Sequence, residues 1–273
     1  MRKSAIRAAR DKDRSPRRQR RSPGRVLTDG AKRIRAAFRR GGQVTLLVLA
    51  SHPVQAVLIA GAIGVLAFYS DRGLGESLVA AAAVLLIQLA LGLHNDACDA
   101  ELDAAAKAPR KPVGAGELPP GNARFVGLLL VVIAIPVCLL NGSVAAPALL
   151  LTLPIGYVHN RILHRTAASF VGWMLTFALF PVFLAYGGWG VGRHGDDPTW
   201  QFIVVSAFVG LCVHLATSLP DLVGDNAAGI RSLPLRIALK TGAPRLLIGT
   251  VLFSLVVLGA FIWIGLDPGL RQW

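Results

Sequence analysis

Four acidic residues, Asp96, Asp99, Glu101 and Asp103, fall within eight positions directly after a long apolar run. On a helix, Asp96, Asp99 and Asp103 stand at i, i+3 and i+7 and share a face, with Asn95 one turn behind Asp99. Like charges so spaced weaken a helix unless a cation lies between them. Alone, the cluster reads equally as a solvated acidic helix end or as oxygen ligands for Mg²⁺, which takes one or two carboxylates per ion and completes its shell with phosphates. A second acidic pair favours the metal. Asp221 and Asp225 again follow an apolar run and lie one helical turn apart. Of the 12 acidic residues beyond position 43, six fall in these two short stretches. Two carboxylate clusters at the ends of two apolar segments point to a paired metal site.

The elements that must position these acids are membrane helices. The chain has 273 residues, 53% of them hydrophobic and 16% charged, with a mean hydropathy of +0.55. This is too apolar for an ordinary soluble domain. Apolar segments run over 44–69, 78–93, 125–140, 144–158, 170–186, 202–219 and 246–266. A full crossing needs about 20 apolar residues, which the first and last exceed and several middle ones reach only with their flanks. The expectation is an all-α, multi-span transmembrane bundle of about seven spans. The three cysteines, Cys98, Cys138 and Cys212, have no metal or redox spacing, and no disulfide framework is implied.

Charge divides the chain. Residues 1–43 hold 16 Lys and Arg against three Asp, which is nearly all of the net charge of +14. The first 24 residues have the composition of a disordered tail. Over 26–40, Leu27, Ala31, Ile34 and Phe38 recur at helical spacing among basic residues. That pattern fits an amphipathic helix on an anionic membrane surface better than a nucleic-acid-binding arm, because aromatics are not interleaved and a membrane segment follows directly. The expected division is a tail over 1–43 and a membrane-embedded domain over 44–273. Counting spans, the first acidic cluster follows the second and the other follows the sixth, so both open to the same side. The positive-inside bias makes that side, and the N-terminus, cytoplasmic. Lys107, Arg110, Lys111, Arg124, Arg161, Arg165, Arg231, Arg236, Lys240 and Arg245 all fall there, whereas the outer loops carry chiefly Arg72 and Arg193.

Acids facing cations at a membrane boundary suit a diphosphate held through Mg²⁺, with Lys and Arg neutralising the remaining charge. If the diphosphate leaves, Mg²⁺ stabilises the charge that develops, and aromatic faces such as Tyr157, Phe170, Trp173 and Phe177 could steady an allylic cation. Asn95-Asp96-x-x-Asp99-x-x-x-Asp103, with Pro109-x-Lys111-Pro112-Val113-x-Ala115-Gly116 after it, resembles the first signature of the UbiA-type membrane prenyltransferases. Asp221-x-x-x-Asp225 continuing into Gly229-Ile230-Arg231-Ser232-Leu233-Pro234 resembles their second, and His52-Pro53 and the stretch from Tyr157 to Arg165 extend the likeness across about 45–265.

The resemblance implies a helical bundle with a cytoplasmic polar cap. It also implies Mg²⁺ on an isoprenoid diphosphate and prenyl transfer to an aromatic or other lipophilic acceptor. Carried over by position, Asn95, Asp96, Asp99 and Asp103 hold the metal–diphosphate, and Asp221 and Asp225 supply a second metal site or position the acceptor. Lys111, Arg161, Arg165 and Tyr157 contact substrate. The chain departs from the family pattern at Ala104, where Arg is common, and at Lys107, where Asn is common, and it ends soon after its seventh apolar segment where most members have nine spans. Variants of the same chemistry are a terpene cyclase and a transferase using polyprenyl phosphate. A non-catalytic member is a further reading, and a transporter would need its acids at mid-bilayer rather than at helix ends.

Overall fold

The computed structural model describes residues 42–106, 111–189 and 197–266. The basic tail with its expected helix over 26–40, together with Lys107, Arg110 and Arg193, lies outside the described residues. By internal packing the chain separates into Met1–Val44 and Thr45–Trp273, and nearly all described residues belong to the second unit. Every described element of that unit is helical.

Helices α1 (Gly42–Ala50) and α2 (Pro53–Tyr69) meet at 59°. The sequence reads as one apolar run here, but Pro53 has no N–H to give and suits only the first turn of a new helix. His52 takes up the break in the left-handed region, at φ 53°. Helix α3 (Leu74–Cys98, 25 residues) is central and packs against α2, α5 (Pro120–Leu139) and α7 (Thr152–Arg161). Its inward face alternates small and branched residues, Ala80, Ala83, Val84, Ile87 and Ala90, all fully buried. Gly92 lets α3 meet the α1–α2 elbow backbone to backbone, since a Cβ there would lie 2.3 Å from the Ser51 carbonyl oxygen.

The proline-bearing segment at 144–158 is two short helices, α6 (Ala145–Leu150) and α7 (Thr152–Arg161). Pro147 and Pro154 each fall in the first turn of their helix, where a missing N–H costs nothing. Helix α8 (Ser169–Ala185) packs most extensively on α9 (Trp200–Ser218), and α9 in turn on α12 (Ala243–Leu266). Between α9 and α12 come two cap helices, α10 (Leu222–Ala227) and α11 (Leu233–Thr241).

Among the described residues, four helices are long and apolar enough to cross a membrane, and the bent α1–α2 pair would make a fifth. Helix α8, of 17 residues, and the α6–α7 pair are shorter. The outer helices are apolar all round. Only 22% of the α5 window and 11% of the α12 window is buried, leaving Leu128, Val132, Leu252, Val256 and Trp263 exposed. In water such faces would forfeit roughly 25 cal/mol for each Å² of apolar surface. The bundle is a membrane protein.

Candidate active site

The first acidic motif straddles the end of α3. Asn95 and Asp96 occupy its last turn, and Asp99 caps it by giving its N–H to the Asn95 carbonyl (3.0 Å). Asp103 lies one turn on, in α4 (Ala100–Ala106), with its N–H on the Asp99 carbonyl (2.8 Å). Asn95, Asp99 and Asp103 therefore stack along one edge at intervals of four. Carboxylates at a helix C-terminus face the negative end of its dipole, and such a motif persists only with cations beside it.

The neighbouring segments supply those cations. Lys111 Nζ lies 3.7 Å from Asp96 Oδ1 and 3.6 Å from Asp103 Oδ2. The turn after it is tightened by Ala115 N–H on the Lys111 carbonyl (2.9 Å) and by Gly116 at φ 74°. His164 Nε2 is 3.2 Å and Arg165 Nη2 3.3 Å from Asp99 Oδ1. Burial alone would push the Asp99 carboxyl up. The hydrogen bond and charge of His164, with Lys111 and Arg165, overcome it and hold Asp99 below the usual carboxylate range. For Lys111, burial opposes the charge, but Asp103, Asp96 and Asp99 outweigh it and raise the ammonium. Asp103 has less help. Burial, with Asp99, Asp96 and Asp221 nearby, pushes it up to about 6 against the pull of Lys111.

The second motif begins in a 3₁₀ turn, Leu219–Asp221, and continues through α10, where Asp225 sits one turn after Asp221. Gly229 at φ 72° reverses the chain, with Ile230 N–H bonding the Asp225 carbonyl (2.9 Å). The two motifs are tied through Leu163–Ser169. Arg231 N–H bonds the Arg165 carbonyl (3.2 Å), and Leu233 N–H bonds Ser169 Oγ (3.0 Å). One segment thus touches Asp99 on one side and the second motif on the other.

Asn95, Asp99, Asp103, Lys111, Asp221 and Asp225 all line a single cavity of about 550 Å³. The acid-bearing ends of α3 and α9 converge as the topology requires. Asp96 stands apart from that lining. It is fully buried and accepts the Val113 N–H (3.3 Å), so in this structure it anchors the Lys111–Gly116 turn. Arg165 reaches Asp99 from outside the lining. Arg161 is exposed and does not line the cavity, and Tyr157, also absent from the lining, packs against His94 with ring centroids 4.0 Å apart. Trp173 and Phe177 line the cavity, whereas Phe170 does not. Sequence reasoning missed the lining contributed by His159, His164, His214, Gln88 and Asn160. Polar residues inside apolar runs were the available signal for Gln88, His159 and His214.

The donor set fits Mg²⁺. All candidate ligand atoms are hard oxygens, and on the cavity the buried Oδ2 of Asp103 has Lys111 Nζ at 3.6 Å but no hydrogen-bond partner. Among the described residues no three His, Cys, Asp or Glu side chains already form a metal cage.

The model of the UbiA prenyltransferase family matches residues 56–270. The chain belongs to that family. Among curated proteins none matches it in sequence. Two solved structures of a UbiA homologue from Archaeoglobus fulgidus share the fold. The one bound to GPP and Mg²⁺ has a TM-score of 0.63 at 14% identity, over 80% of this chain and 77% of the other. The one bound to DMAPP and Mg²⁺ has a TM-score of 0.61 at 16% identity, over 80% and 76%. A structure of digeranylgeranylglyceryl phosphate synthase is similar at a TM-score of 0.52 and 17% identity, over 78% and 76%. At these identities the likeness is one of fold. UbiA membership and the apolar helices together make this an integral membrane protein.

Proposed function

We propose that the chain is an intramembrane prenyltransferase that moves a prenyl group from an isoprenoid diphosphate to a lipophilic acceptor with Mg²⁺. The observation that carries this reading is the shared cavity, on which Asn95, Asp99 and Asp103 of one motif face Asp221 and Asp225 of the other. Two further facts support it: relatives of the same fold bind GPP or DMAPP with Mg²⁺, and the cavity continues past the acids to Trp173 and Phe177.

Asn95, Asp99 and Asp103 would hold one side of the metal–diphosphate, and Asp221 and Asp225 the other. When bound, Mg²⁺ would neutralise charge on the departing diphosphate as a Lewis acid. Among the described residues that line the cavity, Lys111 contributes the only Lys or Arg charge. It is positioned to exchange an Asp103 contact for a phosphate oxygen, while Asp96 keeps its turn in place. His164 and Arg165 fix the Asp99 carboxylate and keep it ionised. Trp173 and Phe177 would shield the allylic carbon from water and face it with aromatic rings. The site opens to the cytoplasm by the positive-inside bias of its loops, and the tail over 1–43 would meet anionic headgroups there.

The test is turnover of labelled geranyl and farnesyl diphosphates by the purified protein, with and without Mg²⁺ and in the presence of a lipophilic acceptor panel. Mg²⁺-dependent release of diphosphate, lost in Asp99→Asn and Asp225→Asn, is the expected result. Turnover that persists in both variants refutes the assignment. A cyclised hydrocarbon, formed with no acceptor consumed, would assign the terpene-cyclase outcome instead.

A further inference from the structure

Beneath the acids the cavity changes character. Gln88 precedes Asn95 by seven positions and His214 precedes Asp221 by seven, so each lies about 10 Å further into the bundle along its helix. His159, Thr176 and Trp173 join them on the lining. The imidazoles of His159 and His214 have centroids 6.1 Å apart, and the Trp173 ring stacks beside His214 at 6.2 Å. This level has hydrogen-bonding groups but no Lys, Arg, Asp or Glu among the cavity-lining residues.

The orientation of His214 is fixed from behind. Ser169 Oγ accepts the Leu233 N–H and lies 2.9 Å from His214 Nε2. The hydroxyl can serve Nε2 as donor or as acceptor, so Nδ1 keeps the complementary role for a ligand. His159 is held differently. Its Nδ1 is buried with no partner and pressed on α8, where a Cβ on Gly172 would come within 2.9 Å. Only its remaining edge can meet a ligand. Both rings also border the cavity.

We propose that this level receives the polar head of the second substrate, and that the substrate is an uncharged, hydroxyl-bearing lipophile rather than a carboxylate. The inference rests on the prenyltransferase reading of the same cavity. A hydroxyl both donates and accepts, so it can meet His214 Nδ1 in either tautomer and either end of the Gln88 amide, both of which line this level. A carboxylate at this depth would be stripped of water with no cation to meet it, and such burial costs more than neutral hydrogen bonds return. The aromatic ring of Trp173 offers the apolar part of such an acceptor a flat partner.

The experiment titrates two matched probes into the full chain preloaded with Mg²⁺ and geranyl diphosphate: a long-chain alkylphenol, and the same phenol bearing a ring carboxylate. The phenol should bind at least tenfold more tightly. His214→Asn and, separately, Gln88→Leu should weaken it at least tenfold while geranyl diphosphate affinity changes less than twofold. Preference for the carboxylated probe, or no binding of either, overturns the proposal. So does a loss in both variants that falls on geranyl diphosphate, which would place the prenyl chain at this level instead. Absence of Mg²⁺-dependent geranyl diphosphate binding in the unaltered protein would overturn the prenyltransferase reading itself, a separable outcome.

Discussion

Lys111 is shared between two carboxylates of one motif, 3.7 Å from Asp96 and 3.6 Å from Asp103, and these two acids face different surroundings. Asp103 borders the cavity, whereas Asp96 is sealed behind it and bonded to the Val113 N–H. One acid is placed to meet ligand and the other to hold the turn that carries the lysine.

That division predicts two kinds of loss. Asp96→Ala leaves Lys111 without its buried partner and Val113 N–H without an acceptor, and breaking a buried pair costs about 3–5 kcal/mol. Its thermal midpoint in detergent should fall sharply, with activity lost through the fold. Asp99→Asn, at the cavity, should keep the midpoint within a few degrees and lose Mg²⁺-dependent diphosphate binding. An Asp96→Ala protein as stable as the parent would show that the anchor role is wrong.

Asp103 gives a pH dependence. Its carboxyl is raised from the ordinary 3.8 to about 6, so in the absence of metal it is protonated below that value. A raised acid binds protons more readily when folded, and by linkage its effect on stability falls as pH rises from about 4 to 6. Metal binding runs the other way, because Mg²⁺ needs the ionised form. Affinity for Mg²⁺ with geranyl diphosphate should therefore climb between pH 5 and 7, and binding at pH 6 should release protons. Calorimetry in buffers of different ionisation enthalpy reads that release. Asp103→Asn should reduce it and leave the share of Asp225, whose carboxyl is also pushed up to about 6 by burial and the neighbouring Asp221.

Much of this was legible in the sequence because it concerns charge placed against an apolar background. Acids at the ends of apolar runs identify the two motifs, and counting spans brings them to one side. The α1–α2 elbow was hidden within a continuous apolar run, and only Pro53 marked it. Asp96 could not be told from Asp99 by type or spacing, since burial behind the Val113 turn is a property of tertiary packing. Tyr157 and Arg161 sit beside cavity residues in sequence, but a helix turns them away: Gly156, His159 and Asn160 line the cavity and these two do not. The histidines were visible as polar residues in apolar segments, but their convergence from α7 and α9 required the α8–α9 packing.

The turn after Lys111 depends on a close approach. A Cβ on Gly114 would lie 2.5 Å from the Asp103 Cβ and 3.1 Å from its carbonyl carbon. Neither neighbour is a flexible side-chain end, so Gly114→Ala must push the turn off α4. Overpacking of this kind costs about 1–3 kcal/mol. Because Lys111 moves with the turn, the variant should show a raised KM for prenyl diphosphate beyond what its stability loss explains. Gly121→Ala, where no atom lies within 4 Å, serves as the control and should be neutral in both respects.

At the opposite end of the bundle Arg72 provides the converse case. Expected in an outer loop, it is in fact buried, with its guanidinium donating to the carbonyls of Phe183 (3.1 Å) and Leu184 and lying 5.7 Å from the Phe183 ring centroid. These carbonyls close the last turn of α8, where a cation meets the negative end of the helix. Hydrogen bonds to a charged group are worth about 1.5–3 kcal/mol each, so Arg72→Met should lower the thermal midpoint substantially. The acids lie at the other end of α3 and α8, so the KM for prenyl diphosphate should stay within twofold of the parent in the fraction that remains folded. A selective rise in KM without loss of stability would mean that Arg72 acts on the site through α8, and that the two ends of the bundle are coupled.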